Sequence, residues 1–503
     1  MSRLTKSEII TAFNKTKNLA QQEFESNNFQ ISLDYIKTAA ELAYMFNWIY
    51  TDDDLENLLR EISSKVVSKK EFIPRKGRVV FYDVFCLENR GLTQQYVRAL
   101  MSWDVEILYV YEGNDLSIGN KIIEELNAYH KAEVFYIEES INSLCKIQRL
   151  YDVIVNFSPE KALLHLAPWS VIAVCIWNAL NEVVRYQINL TDHAFWLGAK
   201  CIDYSLEFRD YGMTVSIEKR GLAENMLLFQ PYYPIMDCYP YIGLPVEIPA
   251  DAIKIFTGGA YYKMYGESDV FFKILEFLIG VNSKVVILIA GHGLEKPLTD
   301  FIKSFNFESK VFLLGSRPDI THVFQNSQLY LTTFPITGGL MGQYAAALGV
   351  PILSYSSPDF PGNFTEGFID WKKGLDFRLT HTSIESFMKE ALKLIEDENY
   401  RHHRGSVLKG LVITETEFSS RFIHQLNSHK LSVPFIRVNI NYDSFTNLYL
   451  EMENKYLKSF DHFVVSRFKL LTLFLFPKVF FRFIVSKRMC ESLLSLFKRL
   501  ILN

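Results

Sequence analysis

The chain has 503 residues, of which 49% are apolar and 22% charged, so it is long enough for two α/β domains. A net charge of −4 gives no basic surplus for nucleic acid, and the six cysteines show none of the spacings typical of a metal site. The first residues lack the apolar core of a signal peptide and no apolar run can span a bilayer, so we expect a globular protein in the reducing cytoplasm.

Residues 1–74 are predicted to form a helical appendage. The run SLDYIKTAAELAYMF has apolar residues at helical spacing. Thr51 is the expected N-cap of a further helix, with Asp54 at the capping-box position. No repeat of fixed length follows, which argues against a solenoid.

Strands and helices are predicted to alternate from 75 to 230, which is typical of a parallel sheet. The run RYQINL is also predicted as a strand. The other strand-like runs in this part of the chain are 78–84, 105–110, 133–137, 151–157 and 171–177.

Asp192 and His193 follow RYQINL and precede an aromatic segment that is predicted to be a helix. Histidine titrates near neutral pH, and an adjacent carboxylate can raise its basicity, so either residue could take a proton from a hydroxyl. Alternatively, Asp192 caps the helix and His193 packs or orients a substrate. Downstream, Glu207 and Arg209 are predicted to form a structural ion pair.

Five prolines from Pro231 to Pro249 predict an inter-domain connection over 231–250 without regular structure. A second α/β unit is predicted over 251–430. Its strands are expected at 252–256, 284–290, 310–314, 328–332 and 351–355.

Four successive strands of this second unit end in groups that suit a phosphate ligand. In doubly wound folds, ligands bind at the carboxyl ends of strands. The last of these ends opens a helix predicted at 341–348, whose first N–H groups and dipole can hold a phosphate. Each motif alone also fits a packing turn, so their convergence is the stronger signal. In chain order the groups are Gly258-Gly259 with Lys263, then His292, then Arg317, and finally Thr337-Gly338-Gly339.

The runs FTGGAYYKMYG, ILIAGHG, VFLLGSRPDI and LYLTTFPITGGLMGQYAAALGVPIL resemble the donor domain of GT-B glycosyltransferases. Within that fold they resemble bacterial surface-polysaccharide transferases and, more distantly, the branch of protein O-GlcNAc transferases and adhesin N-glucosyltransferases. The resemblance covers residues 78–430. It implies an α/β architecture of two Rossmann-like domains facing a cleft, a nucleotide-sugar donor that is UDP-linked by default, and no cofactor.

The resemblance also implies roles for individual residues. The acidic ribose contact of the family is missing, because Tyr344 occupies about that place, and Glu366 is a substitute candidate. Retaining enzymes often carry two glutamates separated by seven residues, but Gly374 stands at the position that matches Glu366, which favours inversion. The expected donor contacts are Gly258, Gly259, Lys263, His292, Arg317, His322, Thr337, Gly338 and Gly339, and the expected acceptor contacts are Arg90, Gly91 and Thr93.

Residues 431–503 are predicted to be helices whose last part is basic and apolar at once. The net charge of residues 458–503 is +7, and Pro477 is expected to separate two helices. Such helices lie in the interface of anionic membranes, although an ordinary helix packed on the first domain is the alternative. We expect peripheral attachment to the inner face of the cell membrane. The cations that flank the apolar faces are Lys478, Arg482, Lys487, Arg488, Lys498 and Arg499.

The leading hypothesis is a glycosyltransferase that adds a sugar to a lipid-linked surface polysaccharide of O-antigen or capsule type, with inversion and without a metal. Asp192 or His193 is the expected base. One alternative is a protein O- or N-glycosyltransferase, for which the short helical N-terminus offers little peptide groove. The other is a non-catalytic scaffold that binds a sugar nucleotide.

Overall fold

The computed structural model describes residues 3–87, 92–113, 120–137, 141–236, 239–431 and 433–485. Within these ranges two parallel β-sheets are flanked by helices, which confirms the predicted α/β class. The strands are β1 (Arg75–Asp83), β2 (Glu106–Tyr111), β3 (Ala132–Tyr136), β4 (Pro159–His165), β5 (Val184–Ile188), β6 (Tyr204–Glu207), β7 (Leu227–Phe229), β8 (Ile253–Ala260), β9 (Val285–His292), β10 (Val311–Gly315), β11 (Leu329–Leu331), β12 (Ile352–Tyr355) and β13 (Thr380–His381).

Helices surround both sheets and form the two ends of the described chain. They are α1 (Lys6–Glu25), α2 (Phe29–Phe46), α3 (Asp53–Val66), α4 (Thr93–Ser102), α5 (Asn120–Ala128), α6 (Ser143–Phe157), α7 (Val171–Ala179), α8 (Asp210–Arg220), α9 (Val270–Val281), α10 (Lys296–Ser304), α11 (Ile320–Gln325), α12 (Gly339–Ala347), α13 (Glu366–Ile369), α14 (Ile384–Glu396), α15 (Glu398–Lys409), α16 (Glu415–Ser428), α17 (Tyr442–Met452), α18 (Phe460–Phe468), α19 (Thr472–Leu475) and α20 (Pro477–Val485).

The helical start of the chain is confirmed, but the predicted cap of α3 is wrong. Asp52 is the N-cap, and its carboxylate accepts the Leu55 N–H at 3.0 Å. Thr51 lies one residue too early to reach that donor. In α1, Thr5 and Glu8 form a full capping box.

The first sheet has the order β3-β2-β1-β4-β5-β6-β7, with all neighbours parallel. The strands predicted at 151–157 and 171–177 are wrong, because these residues lie in α6 and α7. Helix α7 is buried almost all round, so its sequence is a continuous apolar run that resembles a buried strand. The prediction therefore missed β4, whereas RYQINL does contain β5.

The second sheet has the order β10-β9-β8-β11-β12-β13, and all five predicted strands are confirmed. The predicted helix at 341–348 is α12, which begins two residues earlier, at Gly339. It ends before Gly349, whose φ of 72° is the left-handed conformation that glycine adopts easily after a helix. The domain limits stay predictions, although residues 231–236 and 239–249 contain no helix or strand.

The C-terminal helices pack on the N-terminal ones. Phe460, Val464 and Phe476 share one apolar cluster with residues of α1 and α2. Pro477 begins α20 and separates it from α19, as predicted. No helix in the described ranges combines the length and apolarity needed to cross a bilayer.

Candidate functional site

The carboxyl end of β8 approaches the N-terminus of α12 closely, and glycines make this approach possible. A Cβ atom on Gly258 would lie 3.0 Å from the Ala290 carbonyl oxygen and 3.0 Å from Cε of Met341 on α12. Gly259 has a φ of 140°, which strains any other residue. A Cβ on Gly291 of β9 would overlap the Gly259 carbonyl oxygen. Main-chain groups therefore form this end of the sheet.

Lys263 is a cation held beside these glycines without a counter-ion. It lies in a short 3₁₀ turn, and its Cδ is 4.0 Å from the position of a Cβ on Gly259. Its carbonyl oxygen accepts the Ile336 N–H at 3.3 Å, which ties the turn to the segment before α12. Its ammonium group has no hydrogen bond or ion pair with any described residue, and burial lowers its pKa. A partly buried cation that has no partner among the described residues is unfavourable unless an anion lies next to it.

The turn before α12 presents main-chain N–H groups. Gly338 is the N-cap and bears no capping side chain, so the N–H of Gly339 and those of the next residues have no partner within the described chain. Asn363 fixes the turn, because its Oδ1 accepts the Thr337 N–H at 3.1 Å and its Nδ2 donates to the Pro335 carbonyl oxygen at 2.6 Å. This arrangement suits a phosphate. We refer to both glycine pairs and the lysine as the anion site: Gly258, Gly259, Lys263, Gly338 and Gly339.

The substitution Gly339→Ala is expected to distort the anion site, whereas Gly338→Ala is not. A Cβ on Gly339 would overlap the Phe368 ring and lie 2.6 Å from the Tyr232 hydroxyl oxygen, while a Cβ on Gly338 would meet only Met341, at 3.7 Å. Overpacking costs about 1–3 kcal/mol. We expect thermal unfolding to show a lower Tm for Gly339→Ala and a wild-type Tm for Gly338→Ala. Equal Tm values for the two variants would contradict this steric difference.

His292 lies beside the anion site. The parallel register pairs it with Ala260, the residue after Gly259, and its side chain is exposed. Its role as a donor contact stays a prediction.

Arg317 and His322 hold the inter-domain connection. Arg317 Nε and Nη2 each lie 2.6 Å from an oxygen of Asp319, and Nη1 donates to the Gly243 carbonyl oxygen at 2.8 Å. The His322 ring packs on Tyr241, with ring centroids 5.4 Å apart. All three guanidinium nitrogens of Arg317 are thus engaged within the chain. One N–H remains on each Nη, and the contact of Arg317 with a nucleotide stays a prediction.

The Tyr344 hydroxyl is bonded within the chain, whereas one carboxylate oxygen of Glu366 can still bind a ligand. The Tyr344 hydroxyl donates to the Ile235 carbonyl oxygen at 2.8 Å, so this buried side chain joins α12 to the inter-domain connection. Glu366 Oε1 accepts the N–H groups of Leu379 and Thr380 at 2.7 and 2.9 Å. Glu366 Oε2 is buried and has no hydrogen-bond partner among the described residues. One oxygen of Glu366 thus remains for a ligand hydroxyl, which keeps it as the candidate acidic contact.

Asp192 forms a buried ion pair that joins the two α/β units. Arg209 donates to its two oxygens from Nε at 2.5 Å and from Nη2 at 2.8 Å. Burial alone would raise the pKa of Asp192, but Arg209 outweighs this effect and lowers it to about 2. Arg209 also donates to the Gly362 carbonyl oxygen and lies 4.0 Å from the Phe368 ring centroid, both in the second unit. The predicted pairing of Arg209 with Glu207 is wrong, because Asp192 is the partner.

His193 follows this ion pair and remains partly accessible. Its Nδ1 lies 3.5 Å from Asp192 Oδ1, and its side chain is 34% exposed. Asn47 of the helical appendage donates to the His193 carbonyl oxygen at 2.5 Å. The segment 193–200 forms turns, so the predicted aromatic helix is wrong. Asp192 forms its ion pair with Arg209, so it can raise the basicity of His193 only weakly. The role of His193 as the base stays a prediction.

A buried Asp–His pair lies at the carboxyl ends of β1 and β4. Asp83 Oδ1 is 3.0 Å from His165 Nδ1, and Oδ2 accepts the hydroxyls of Thr93 and Tyr109 at 2.9 and 2.7 Å. Burial opposes ionisation, but His165 and these hydrogen bonds hold the pKa of Asp83 below its ordinary value. The Thr93 hydroxyl therefore donates its hydrogen bond to a residue of the chain itself.

The sequence prediction did not include this pair. Asp83 and His165 are register partners on adjacent strands, so a correct assignment of β4 would have brought them together. The other two predicted acceptor contacts, Arg90 and Gly91, lie outside the described residues.

The comparisons with known proteins establish the fold. No protein-family model and no curated protein matches the chain. An O-GlcNAc transferase mutant of Thermobaculum terrenum is 13% identical, with a TM-score of 0.51 over 88% of this chain and 84% of that one. The Anabaena protein HepE with UDP and glucose is 14% identical, with a TM-score of 0.50 over 70% of this chain and 99% of that one. Together with the two parallel sheets, these likenesses give the chain the GT-B fold.

Proposed function

We propose that the protein is a glycosyltransferase that moves a sugar from a UDP-sugar to a glycan acceptor. The anion site carries the proposal, because a partly buried lysine with no partner among the described residues lies beside a helix N-terminus that has no side-chain cap. Both features favour a diphosphate. The Anabaena structure contains UDP and glucose, which supports uridine as the nucleotide to test first.

The proposed reaction is a single displacement at the anomeric carbon, which inverts its configuration. A base takes the proton of an acceptor hydroxyl, the hydroxyl oxygen bonds to the anomeric carbon, and the bond from that carbon to the diphosphate breaks. UDP leaves with the electron pair. The Lys263 ammonium and the first N–H groups of α12 stabilise its charge, and they need little reorganisation because the fold holds them in place.

We also propose that the acceptor is a lipid-linked glycan of surface-polysaccharide type, reached at an anionic membrane. The support is an exposed apolar surface around α19 and α20. Its five apolar side chains are between 50% and 77% exposed, and two exposed lysines lie among them. Apolar side chains flanked by lysine suit the interface of an anionic bilayer. We refer to these residues as the C-terminal patch: Lys469, Leu470, Leu471, Phe474, Lys478, Phe481 and Val485.

The opposite face of these helices is packed on the protein. Phe476 and Val479 are buried in the cluster that includes α1 and α2, so this face packs on the helical appendage and not on the first domain, where the alternative prediction placed it. Arg482, predicted to face lipid headgroups, instead pairs with Asp461 at 2.6 Å and Glu8 at 3.2 Å. The other four predicted cations lie outside the described residues: Lys487, Arg488, Lys498 and Arg499.

Replacing both phenylalanines of the C-terminal patch by serine is expected to weaken membrane binding. Each buried phenylalanine contributes about 1.5–3 kcal/mol, so Phe474→Ser/Phe481→Ser should lower partitioning into phosphatidylglycerol vesicles more than ~10-fold in co-sedimentation. The matched control is Ile73→Ser/Val246→Ser, which removes two apolar side chains that are 85% and 94% exposed elsewhere. Equal sedimentation of both variants would show that the C-terminal patch does not contribute to membrane binding.

Turnover tests the proposed activity. UDP release is measured from UDP-glucose, UDP-galactose, UDP-GlcNAc and UDP-GalNAc, with octyl glycosides as acceptor probes and with EDTA present. We expect release from at least one donor, accelerated by an acceptor and lost in Lys263→Met. Binding of UDP-sugars without release from any of them, even to water, would favour the non-catalytic scaffold.

A further inference from the structure

The Asp83–His165 pair is held in one orientation. Besides the three side-chain contacts given above, Asp83 Oδ1 accepts the Phe85 N–H at 2.9 Å, and the Phe85 and His165 rings pack with centroids 4.8 Å apart. Because Nδ1 of His165 faces the carboxylate, we assign its proton to Nδ1. His165 Nε2 then carries a lone pair, and it has no hydrogen bond to any residue in the described ranges. A general base needs such an accessible ring nitrogen in a fixed orientation.

His165 lines a cavity of about 180 Å³ at the carboxyl ends of β1, β4 and β5. Three other lining residues carry buried polar atoms without a partner among the described residues: Gln187 Oε1, Asn189 Oδ1 and Trp196 Nε1. Gln187 is 4% and Asn189 1% exposed, so water outside the protein does not satisfy them. Two acceptors and one donor match the hydroxyl groups of a sugar, which both donate and accept.

The orientation of both amides is set within the chain. Asn189 Nδ2 donates to the two oxygens of Glu207, each at 2.9 Å, and Gln187 Nε2 donates to the Ile188 carbonyl oxygen at 3.2 Å. The amide oxygens are therefore the atoms left over for a ligand. The cavity volume takes one sugar unit, and the rest of a glycan has to extend outside it.

The cavity adjoins the anion site through one apolar cluster. Leu190 lines the cavity and packs in the same cluster as Leu340, the second residue of α12, and Phe368. Leu92, which precedes the Thr93 that bonds to Asp83, belongs to this cluster too. The cavity and the anion site therefore border the same apolar cluster.

We propose that His165 is the general base for the acceptor hydroxyl, that Asp83 is its positioning residue, and that the cavity is the acceptor-sugar subsite. This inference rests on the proposed function. His165 Nε2 takes the hydroxyl proton as the oxygen bonds to the anomeric carbon, and the bond to the diphosphate breaks with its electron pair leaving on UDP. The Asp83 carboxylate, 3.0 Å from Nδ1, stabilises the imidazolium that forms. Water in the subsite reacts in the same way, which gives donor hydrolysis.

The test compares His165→Asn with His402→Asn, a matched substitution of a histidine whose side chain is 79% exposed on α15. UDP release is measured with the octyl glycoside that gives wild-type protein the highest rate. If no octyl glycoside accelerates release, water serves as the acceptor. UDP affinity is measured by calorimetry. We expect His165→Asn to lower kcat 10²- to 10⁴-fold with a UDP Kd within about twofold of wild type. His402→Asn should keep both values.

Two readouts separate catalysis from a structural role. Added imidazole is expected to restore part of the turnover of His165→Ala, because it can occupy the vacated space. Asp83→Asn should lower kcat while the UDP Kd stays within about twofold of wild type, because it removes the carboxylate that orients Nδ1 and stabilises the imidazolium.

The inference fails on its own if wild-type protein turns over and His165→Asn keeps a kcat within threefold of it. It also fails if His193→Asn, rather than His165→Asn, lowers kcat at an unchanged UDP Kd. Wild-type protein that binds no UDP would instead reject the proposed function.

Discussion

The variant Asp192→Asn is expected to lose about 3–5 kcal/mol of folding free energy at neutral pH. Asparagine keeps the shape of the side chain but leaves the Arg209 guanidinium buried without its counter-charge. Since Arg209 also donates to Gly362 in the second α/β unit, the loss should loosen the contact between the two units. Chemical denaturation monitored by fluorescence measures the change.

The pH dependence of this loss follows from the direction of the pKa shift. Folding lowers the pKa of Asp192 from 3.8 to about 2. The ion pair therefore contributes its full stability above pH 4, and this contribution disappears as the pH falls through about 2. The difference in the free energy of unfolding between wild type and Asp192→Asn should be constant around neutral pH and should decrease toward zero in acid. The control is Asp443→Asn, which breaks an exposed pair with Lys6 and should cost at most ~1 kcal/mol. If Asp192→Asn is as stable as wild type but inactive, Asp192 acts as the catalytic base instead.

The variant Lys263→Met is expected to bind UDP about 10- to 150-fold more weakly without losing stability. A hydrogen bond to a charged group contributes about 1.5–3 kcal/mol, which sets the range. Burial lowers the pKa of Lys263, so the fold disfavours the charged form that is present at neutral pH. Removing that charge should leave Tm unchanged or raise it.

Calorimetric titration with UDP measures the affinity of Lys263→Met, and thermal unfolding measures its stability. The matched control is Lys284→Met, a lysine whose side chain is 57% exposed and paired with Asp251. It should keep wild-type UDP affinity. Unchanged affinity in Lys263→Met would place the diphosphate somewhere else.

The second sheet and the anion site could be predicted because their signals are local. Strands β8, β9 and β10 are apolar runs with glycine at or near their carboxyl ends, and the turn Thr337-Gly338-Gly339 leads directly into α12. Glycine marks places where main chain must approach main chain, and the structure places Gly258 and Gly291 at such contacts. The amino-acid order alone carries this information.

The first sheet was harder because a fully buried helix and a buried strand have the same composition. Helix α7 has no polar face to show a helical period, and its misassignment hid β4 and with it His165. The Asp83–His165 pair exists because β1 and β4 are neighbours in the sheet, although β2 and β3 lie between them in the chain. No local pattern encodes that adjacency.

Side-chain partners could not be predicted for the same reason. Glu207 lies two residues from Arg209 in sequence, yet it accepts hydrogen bonds from Asn189 and Ser216. Arg209 instead reaches Asp192, 17 residues away. Which charges pair is decided by which strand ends the sheet brings together, and burial then makes an unsuitable pairing costly.

Calorimetric titration of the wild-type protein with UDP and with uridine tests the central claim most directly. If Lys263 and the first turn of α12 hold a diphosphate, UDP binds at one site per chain and uridine binds at least ~10-fold more weakly. Equal affinity for UDP and uridine, or no binding of either, would contradict the assignment of the anion site.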